Sequence, residues 1–126
     1  MKTYDAIIIG FGKAGKTLAA DLAKKGQHVA MIEQSDLMFG GTCINIGCIP
    51  TKTLVHLAKV ASLKKGASFE QRKEYYKEAI AQKDKVTAML RNKNYHLLAD
   101  NPLIDIFVGK GAFCSKDTIE VTTATE

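Results

Sequence analysis

The residues of this chain best suited to chemistry are two cysteines five apart, Cys43 and Cys48, in the stretch Gly40-Gly-Thr-Cys-Ile-Asn-Ile-Gly-Cys-Ile-Pro-Thr-Lys52. On a regular helix they would point about 140° apart, so a bond between them needs a distorted turn. Gly47 and Pro50 supply the means. Glycine tolerates unusual dihedrals, and proline disfavours helix at Ile49 while suiting the first turn of a helix that starts there. Cys48 then stands near a helix N-terminus, where the dipole favours a thiolate, and Lys52 adds positive charge one turn on. Closing so small a loop removes little chain entropy, so a structural purpose is weak and a reversible redox purpose fits better. The alternatives are two unlinked buried thiols or half of a zinc site. Zinc needs a second ligand pair, and Cys114, His28, His56 and His96 show no paired spacing, so no metal site is expected. Cys114, alone in a predicted strand, reads as a small buried hydrophobe, and the histidines read as ordinary structural residues.

A second chemistry is written in Gly10-Phe-Gly-Lys-Ala-Gly15, a G-x-G-x-x-G placed directly after a strand and opening a helix. Gly10 permits the tight turn, Gly12 lets the backbone approach a pyrophosphate, and Gly15 lets the helix pack close to the strand. The free N–H groups and dipole of the helix supply the anion site. Glu33, 18 residues after Gly15 at the end of the second strand, stands where a carboxylate accepts hydrogen bonds from a ribose diol. The fingerprint does not separate FAD from NAD, whereas an acid at Glu33 repels a 2′-phosphate and disfavours NADP in this loop. The string Gly10 to Thr17 also satisfies the P-loop pattern G-x-x-x-x-G-K-[ST] literally. A P-loop ATPase needs a magnesium acid on a later strand, and Asp105 begins its strand instead of ending it.

The elements that must position these groups follow from pattern. Tyr4 to Ile9 is a β-branched run read as a strand buried on both faces. A helix follows over Ala14 to Lys25, with Leu18 and Leu22 inward and Gly26 as its C-terminal stop. The next strand is His28 to Ile32. Strand, helix and strand within so short a span make a βαβ unit with parallel strands. Helices are expected from about Thr51 to Lys64 and from Glu70 to about Asn92, the second long and solvent-washed, with Pro102 closing the helical region. Ile104 to Val108 and Thr118 to Thr123 read as strands. The fold class expected is α/β, with a parallel sheet, a helical excursion, and a β-hairpin or meander near the C-terminus.

With 126 residues, 46% of them hydrophobic, the chain can bury one modest core. Its N-terminus has no basic region, apolar stretch or cleavage site of a secretory signal, and its apolar runs are too short to span a bilayer, so a cytoplasmic location is expected. Three cysteines in such a chain argue for catalysis rather than a disulfide framework. The net charge of +5 comes from 18 basic residues interleaved with 13 acids, with no basic stripe to suit nucleic acid.

Taken together, the N-terminal fingerprint, the acid ending the second strand and G-G-T-C-x-x-x-G-C-x-P-x-K resemble the class I pyridine nucleotide-disulfide oxidoreductases. That family includes dihydrolipoamide dehydrogenase, glutathione reductase and mercuric reductase. The likeness is most specific from Tyr4 to about Leu54. Ile9 to Thr17, the cysteine segment and Arg91 to Asp100 look more closely like the mercuric-reductase-like bacterial branch linked to reactive chlorine resistance.

The resemblance implies a Rossmann-like FAD-binding domain. Gly10, Gly12 and Gly15 would hold the FAD pyrophosphate, Glu33 the adenosine ribose, and Gly41 and Thr42 would line the path of the phosphates and ribityl chain. Cys48 would face the flavin as the charge-transfer thiolate, Cys43 would be the interchange thiol that meets the substrate, and Lys52 would tune the flavin. Electrons would pass from NAD(P)H through FAD to the Cys43–Cys48 disulfide, then to a small disulfide, dithiol or metal-ion substrate. Family members are several times longer and work as homodimers. A second glycine fingerprint, a later flavin-contacting Asp and a C-terminal dimerisation domain are absent from residues 1–126, so the expectation is the N-terminal part of an FAD domain, inactive by itself. The competing reading is a stand-alone nucleotide-binding or partner-binding domain.

Overall fold

The computed structural model describes residues 1–123. Strand β1 (Ala6–Ile9), helix α1 (Lys13–Lys24) and strand β2 (Val29–Glu33) form the βαβ unit. The chain then makes a single 3₁₀ turn at Asp36–Met38 and enters the helical excursion: α2 (Thr42–Asn45), α3 (Cys48–Ser62) and α4 (Phe69–Ala99). Strand β3 (Ile104–Val108) returns to the sheet, and β4 (Lys110–Phe113) and β5 (Ile119–Thr122) follow.

The sheet runs β1-β2-β3, all parallel, with Ala6 opposite Val29 and Val29 opposite Ile104. β4 and β5 form a separate antiparallel hairpin. Central β2 is buried along Val29 to Ile32, as a strand covered on both faces must be. β1 lies at the sheet edge, and its residues alternate between half-buried and exposed, with Ile9 50% accessible. The expectation that β1 is buried on both faces is therefore corrected: among the described residues only one face of this edge strand is covered.

Helix α1 also turns differently from its pattern. Leu18 is exposed, and the face toward the sheet is made by Ala19 and Ala23, with Leu22 partly buried beside them. Small residues are needed there because the helix starts very close to β1. A Cβ on Gly15 would stand 2.3 Å from the Gly10 carbonyl oxygen. The core is completed by Phe11, Val29, Met31, Phe39, Leu98 and Ile104. Burying each such large side chain contributes roughly 1.5–3 kcal/mol before the entropy of ordering is counted.

Helix α4 starts on a capping box: Gln71 N–H donates to Ser68 Oγ, and the Gln71 side chain accepts from the Ser68 N–H. It continues to Ala99, seven residues beyond Asn92, because Tyr95 and Leu98 remain apolar on the face that meets the core. In the hairpin, β4 joins the β5 expected from sequence. Cys114 is exposed beyond the end of β4, its Sγ donating to the Thr118 carbonyl oxygen at 3.5 Å, which corrects its reading as a buried hydrophobe. No helix among the described residues is long and apolar enough to cross a membrane.

Candidate redox and dinucleotide site

The glycine loop connects β1 to α1. Gly10 carries φ +107°, a conformation that L side chains rarely adopt, and its N–H donates to the Ile32 carbonyl oxygen at 2.7 Å. Gly12 is the residue preceding the first turn of α1, and no side chain caps that helix. The N–H groups of Lys13, Ala14 and Gly15 have no carbonyl one turn earlier within the helix to bind. A Cβ placed on Gly12 would meet nothing within 4 Å, so the open side of the loop is a cradle that a side chain would fill. Uncapped donors at a helix start, beside a residue with no side chain, fit a pyrophosphate.

Glu33 ends β2 directly beside this loop. Its Oε2 accepts from Phe11 N–H at 2.9 Å and its Oε1 from Ser35 N–H at 3.3 Å. A carboxylate has about four acceptor sites, so lone pairs remain for a diol.

The P-loop alternative meets neither of its requirements. Lys16 Nζ donates to Asn94 Oδ1 on α4, and Thr17 Oγ1 turns back to the Lys13 carbonyl oxygen at 2.7 Å. Asp105 is occupied by Tyr4 Oη at 2.6 Å and Lys2 Nζ at 3.2 Å.

The cysteine segment is laid across the loop by two consecutive left-handed glycines, Gly40 at φ +90° and Gly41 at φ +84°. Gly41 packs on the loop itself: a Cβ there would come within 2.6 Å of Gly12 Cα. Thr42 follows, exposed, as the first residue of α2. Cys43 is thus inside a short helix, because Gly41 turns the chain directly into a helical turn. Gly47, at φ −103° and ψ −93°, separates α2 from α3, and Cys48 is the first residue of α3. Pro50 falls in the first turn of α3, buried, as its missing N–H allows.

Both thiols are free and exposed. Cys48, as a neighbouring hydrogen-bonding group, is the largest influence pushing the Cys43 thiol above its usual range, followed by desolvation and the charge of Cys48. Lys13 and Lys52 pull the other way. Lys16, part-buried, is lowered by desolvation first and by Lys13, with Cys43 opposing.

The expected site residues are thus brought together at one end of the sheet: Gly10, Gly12, Gly15 and Glu33 around the loop, and Gly41, Thr42, Cys43, Cys48 and Lys52 on the segment packed against it. Residues with no assigned role in the sequence reading also belong to the site. Asn45 Nδ2 donates to the carbonyl oxygens of Phe39 and Gly41, and Arg91 Nε donates to Asn45 Oδ1. Phe39 stacks between Phe11 and Tyr95, with ring centroids 5.1 Å and 4.8 Å away. A separate groove of about 550 Å³ runs between α3 and α4, lined by Leu57, Ala61, Tyr75 and Tyr76, and contains neither cysteine.

The structure thus sets a glycine-rich loop, opening the helix of a parallel βαβ unit, against a segment that carries two neighbouring cysteines. The chain belongs to the pyridine nucleotide-disulphide oxidoreductase family, whose sequence profile matches residues 4–125. It is 53% identical over 121 residues, 96% of its own length, to the Escherichia coli K12 protein named "Probable pyridine nucleotide-disulfide oxidoreductase RclA". A mercuric reductase of Lysinibacillus sphaericus is 37% identical over 126 residues. Among solved structures, the Cu(II) complex of the HOCl-induced flavoprotein disulfide reductase RclA from Escherichia coli superimposes with a TM-score of 0.83 at 52% identity, over 98% of this chain. The chain spans about a quarter of these relatives: 25% of the Escherichia coli protein, 23% of the mercuric reductase and 25% of the solved chain.

Proposed function

We propose that this chain is the FAD-binding and redox-dithiol segment of an NAD(P)H-dependent flavoprotein reductase acting on a small disulfide or a metal ion. The observation that carries the reading is the packing of Gly41 on Gly12, which sets the cysteine pair against a loop built for a pyrophosphate. In this reading Gly10, Gly12 and Gly15 hold the FAD pyrophosphate, Glu33 holds the ribose, and Gly41 and Thr42 flank the phosphates. FAD, when bound, supplies the relay of two electrons from NAD(P)H to the dithiol.

The chain's own part is thiol chemistry. With a disulfide substrate, Cys43 loses its proton and its sulfur attacks one substrate sulfur, breaking the substrate S–S bond and releasing one thiol. Cys48 then attacks the mixed disulfide as a thiolate, closing the Cys43–Cys48 bond and releasing the second thiol. Two electrons have left the pair, and NAD(P)H replaces them. Lys52 and Lys13 lower the cost of negative charge at Cys43 during the attack. Names among the relatives, mercuric reductase and disulfide reductase, support both substrate classes.

The same proposal takes this chain as the N-terminal part of its FAD domain, with the nicotinamide and dimerisation domains supplied elsewhere in a homodimeric, cytoplasmic protein, and the segment inactive alone. The quarter-length coverage of the relatives supports this division. Anaerobic NAD(P)H titration of the full-length protein tests the function. The expected result is uptake of one reducing equivalent pair by the flavin and a second by the cysteines, with both thiols becoming alkylatable. Uptake by flavin alone contradicts it.

A further inference from the structure

Asn45 lies between the two cysteines, two residues after Cys43 and three before Cys48, at the end of α2. Its amide is fully engaged. Both hydrogens of Nδ2 go to carbonyls of the glycine turn, Phe39 at 3.0 Å and Gly41 at 2.9 Å, and Oδ1 accepts from Arg91 Nε at 2.9 Å. Only one amide orientation satisfies this set, since a flip would set NH₂ against a guanidinium and oxygen against two carbonyls. Arg91 thereby decides how Asn45 sits, and Asn45 decides where the turn through Gly40 and Gly41 sits.

Two successive glycines at positive φ leave many conformations open, and the turn's own backbone bond, Gly41 N–H to the Met38 carbonyl oxygen at 2.8 Å, is one restraint among several. Helix α4 supplies further restraint. Tyr95 stacks on Phe39, and a Cβ on Gly40 would meet Asn94 Cβ at 3.3 Å. Asn94 is itself anchored, its Nδ2 donating to the Leu90 carbonyl oxygen at 2.7 Å while its Oδ1 accepts from Lys16. Arg91 and Asn94 are three apart on one face of a long helix, so α4 grips the cysteine segment and α1 together. The charges that act on Cys43 include those of Cys48, Lys13, Lys52 and Lys16, whereas Arg91 reaches the segment through its hydrogen bond to Asn45.

We propose that Arg91 is a positioning residue for the dithiol: through Asn45, which lies between the two cysteines, it holds α2 and Cys43 on the turn through Gly40 and Gly41, and so sets the thiol–disulfide equilibrium of Cys43 and Cys48. The proposal rests on the redox reading of the pair. A held turn raises the effective concentration of one sulfur at the other, and releasing it favours the dithiol over the disulfide.

The test equilibrates the FAD-loaded full-length protein with dithiothreitol redox buffers, quenches with an alkylating agent, and counts blocked cysteines by mass. Arg91→Met should shift the equilibrium toward the dithiol by tenfold or more, about 30 mV for a two-electron couple. Arg91→Lys, whose ammonium can still donate to Asn45 Oδ1 but on a flexible stem without the rigid guanidinium plane, should fall between Arg91→Met and the parent. Asn45→Ala should shift it at least as far as Arg91→Met, and the double variant no further, because both changes break one link. Lys93→Met, at an exposed position on the same helix, should change nothing. An equilibrium within twofold of the parent in Arg91→Met overturns the proposal, as do additive effects with Asn45→Ala. Loss of folding or flavin in both Arg91 variants also overturns it, since the role would then belong to the fold as a whole. A parent protein with no reducible pair sinks the redox reading instead.

Discussion

Gly41 rests so closely on Gly12 that a methyl group on Gly41 would stand 2.6 Å from Gly12 Cα. Two glycines from separate motifs, one from the dinucleotide loop and one from the cysteine segment, are thereby one structural unit. Gly41→Ala should lose on two counts, a strained φ of +84° and a backbone collision, at a cost of about 1–3 kcal/mol or more. Thermal unfolding of the full-length protein measures it, and an unchanged Tm would show that the two segments can separate freely.

The loop glycines should divide by role. Gly12 has open space where its side chain would be, so Gly12→Val should fold but exclude flavin, read as loss of the flavin absorbance after purification. Gly15→Ala drives a Cβ into the Gly10 carbonyl at 2.3 Å and should lower stability first. A yellow Gly12→Val protein with full flavin content would remove the loop from the binding site.

Much of this arrangement is legible in the chain itself. The glycine spacing, the two β-branched runs and Glu33 identify the βαβ unit because those residue types have few other uses in that order. The dithiol is legible for the same reason. What escapes is set by distance. Asn45 and Arg91 are 46 residues apart, and nothing local marks either as a partner of the other. Leu18 faces solvent against its pattern because the helical period fixes a stripe without fixing which side of it meets a closely packed strand. The half-exposure of β1 escapes for a related reason: an apolar run tells that a strand is suited to burial, not which of its faces is covered.

The N-terminal strand is fastened by Tyr4 and Lys2 to Asp105, and the fastening should be pH-dependent. Asp105 is held below its usual 3.8, first by the Tyr4 hydrogen bond and then by Lys2, so its contribution is present above that value and fades as pH falls through the lower folded value. Tyr4 is pushed up to about 12, chiefly by desolvation and then by Asp105, so its contribution fades as pH rises from 10.0 toward 12. Both groups are half-buried and partly screened by solvent, and the pair is worth no more than about 1 kcal/mol. In Asp105→Asn the phenolate absorbance of one tyrosine should appear at lower pH than in the parent. Superimposable titrations would refute the pairing.

Cys48 should hold Cys43 in its protonated form. Removing the Cys48 sulfur takes away the hydrogen bond that is the largest cause of the raised Cys43 thiol, and the charge that is the third, leaving desolvation against the pull of Lys13 and Lys52. In reduced Cys48→Ala, alkylation of Cys43 by iodoacetamide should therefore be several times faster than in the reduced parent at about pH 8.5, where an ordinary thiol is half ionised. Equal rates would mean that the two sulfurs do not communicate.

In the proposed function this dithiol works against a flavin, with Cys48 as the sulfur that faces it and Cys43 as the one that meets the substrate. The most direct measurement is the long-wavelength charge-transfer absorbance of the full-length protein, reduced and examined between about pH 6 and 8, the range in which activated thiols ionise. Cys43→Ser should keep the band, because in this assignment Cys48, the first residue of α3, is the sulfur that faces the flavin. Cys48→Ser should lose it. A band that survives in Cys48→Ser and disappears in Cys43→Ser would contradict the assignment, and its absence from both variants and the parent would contradict the pairing of dithiol and flavin altogether.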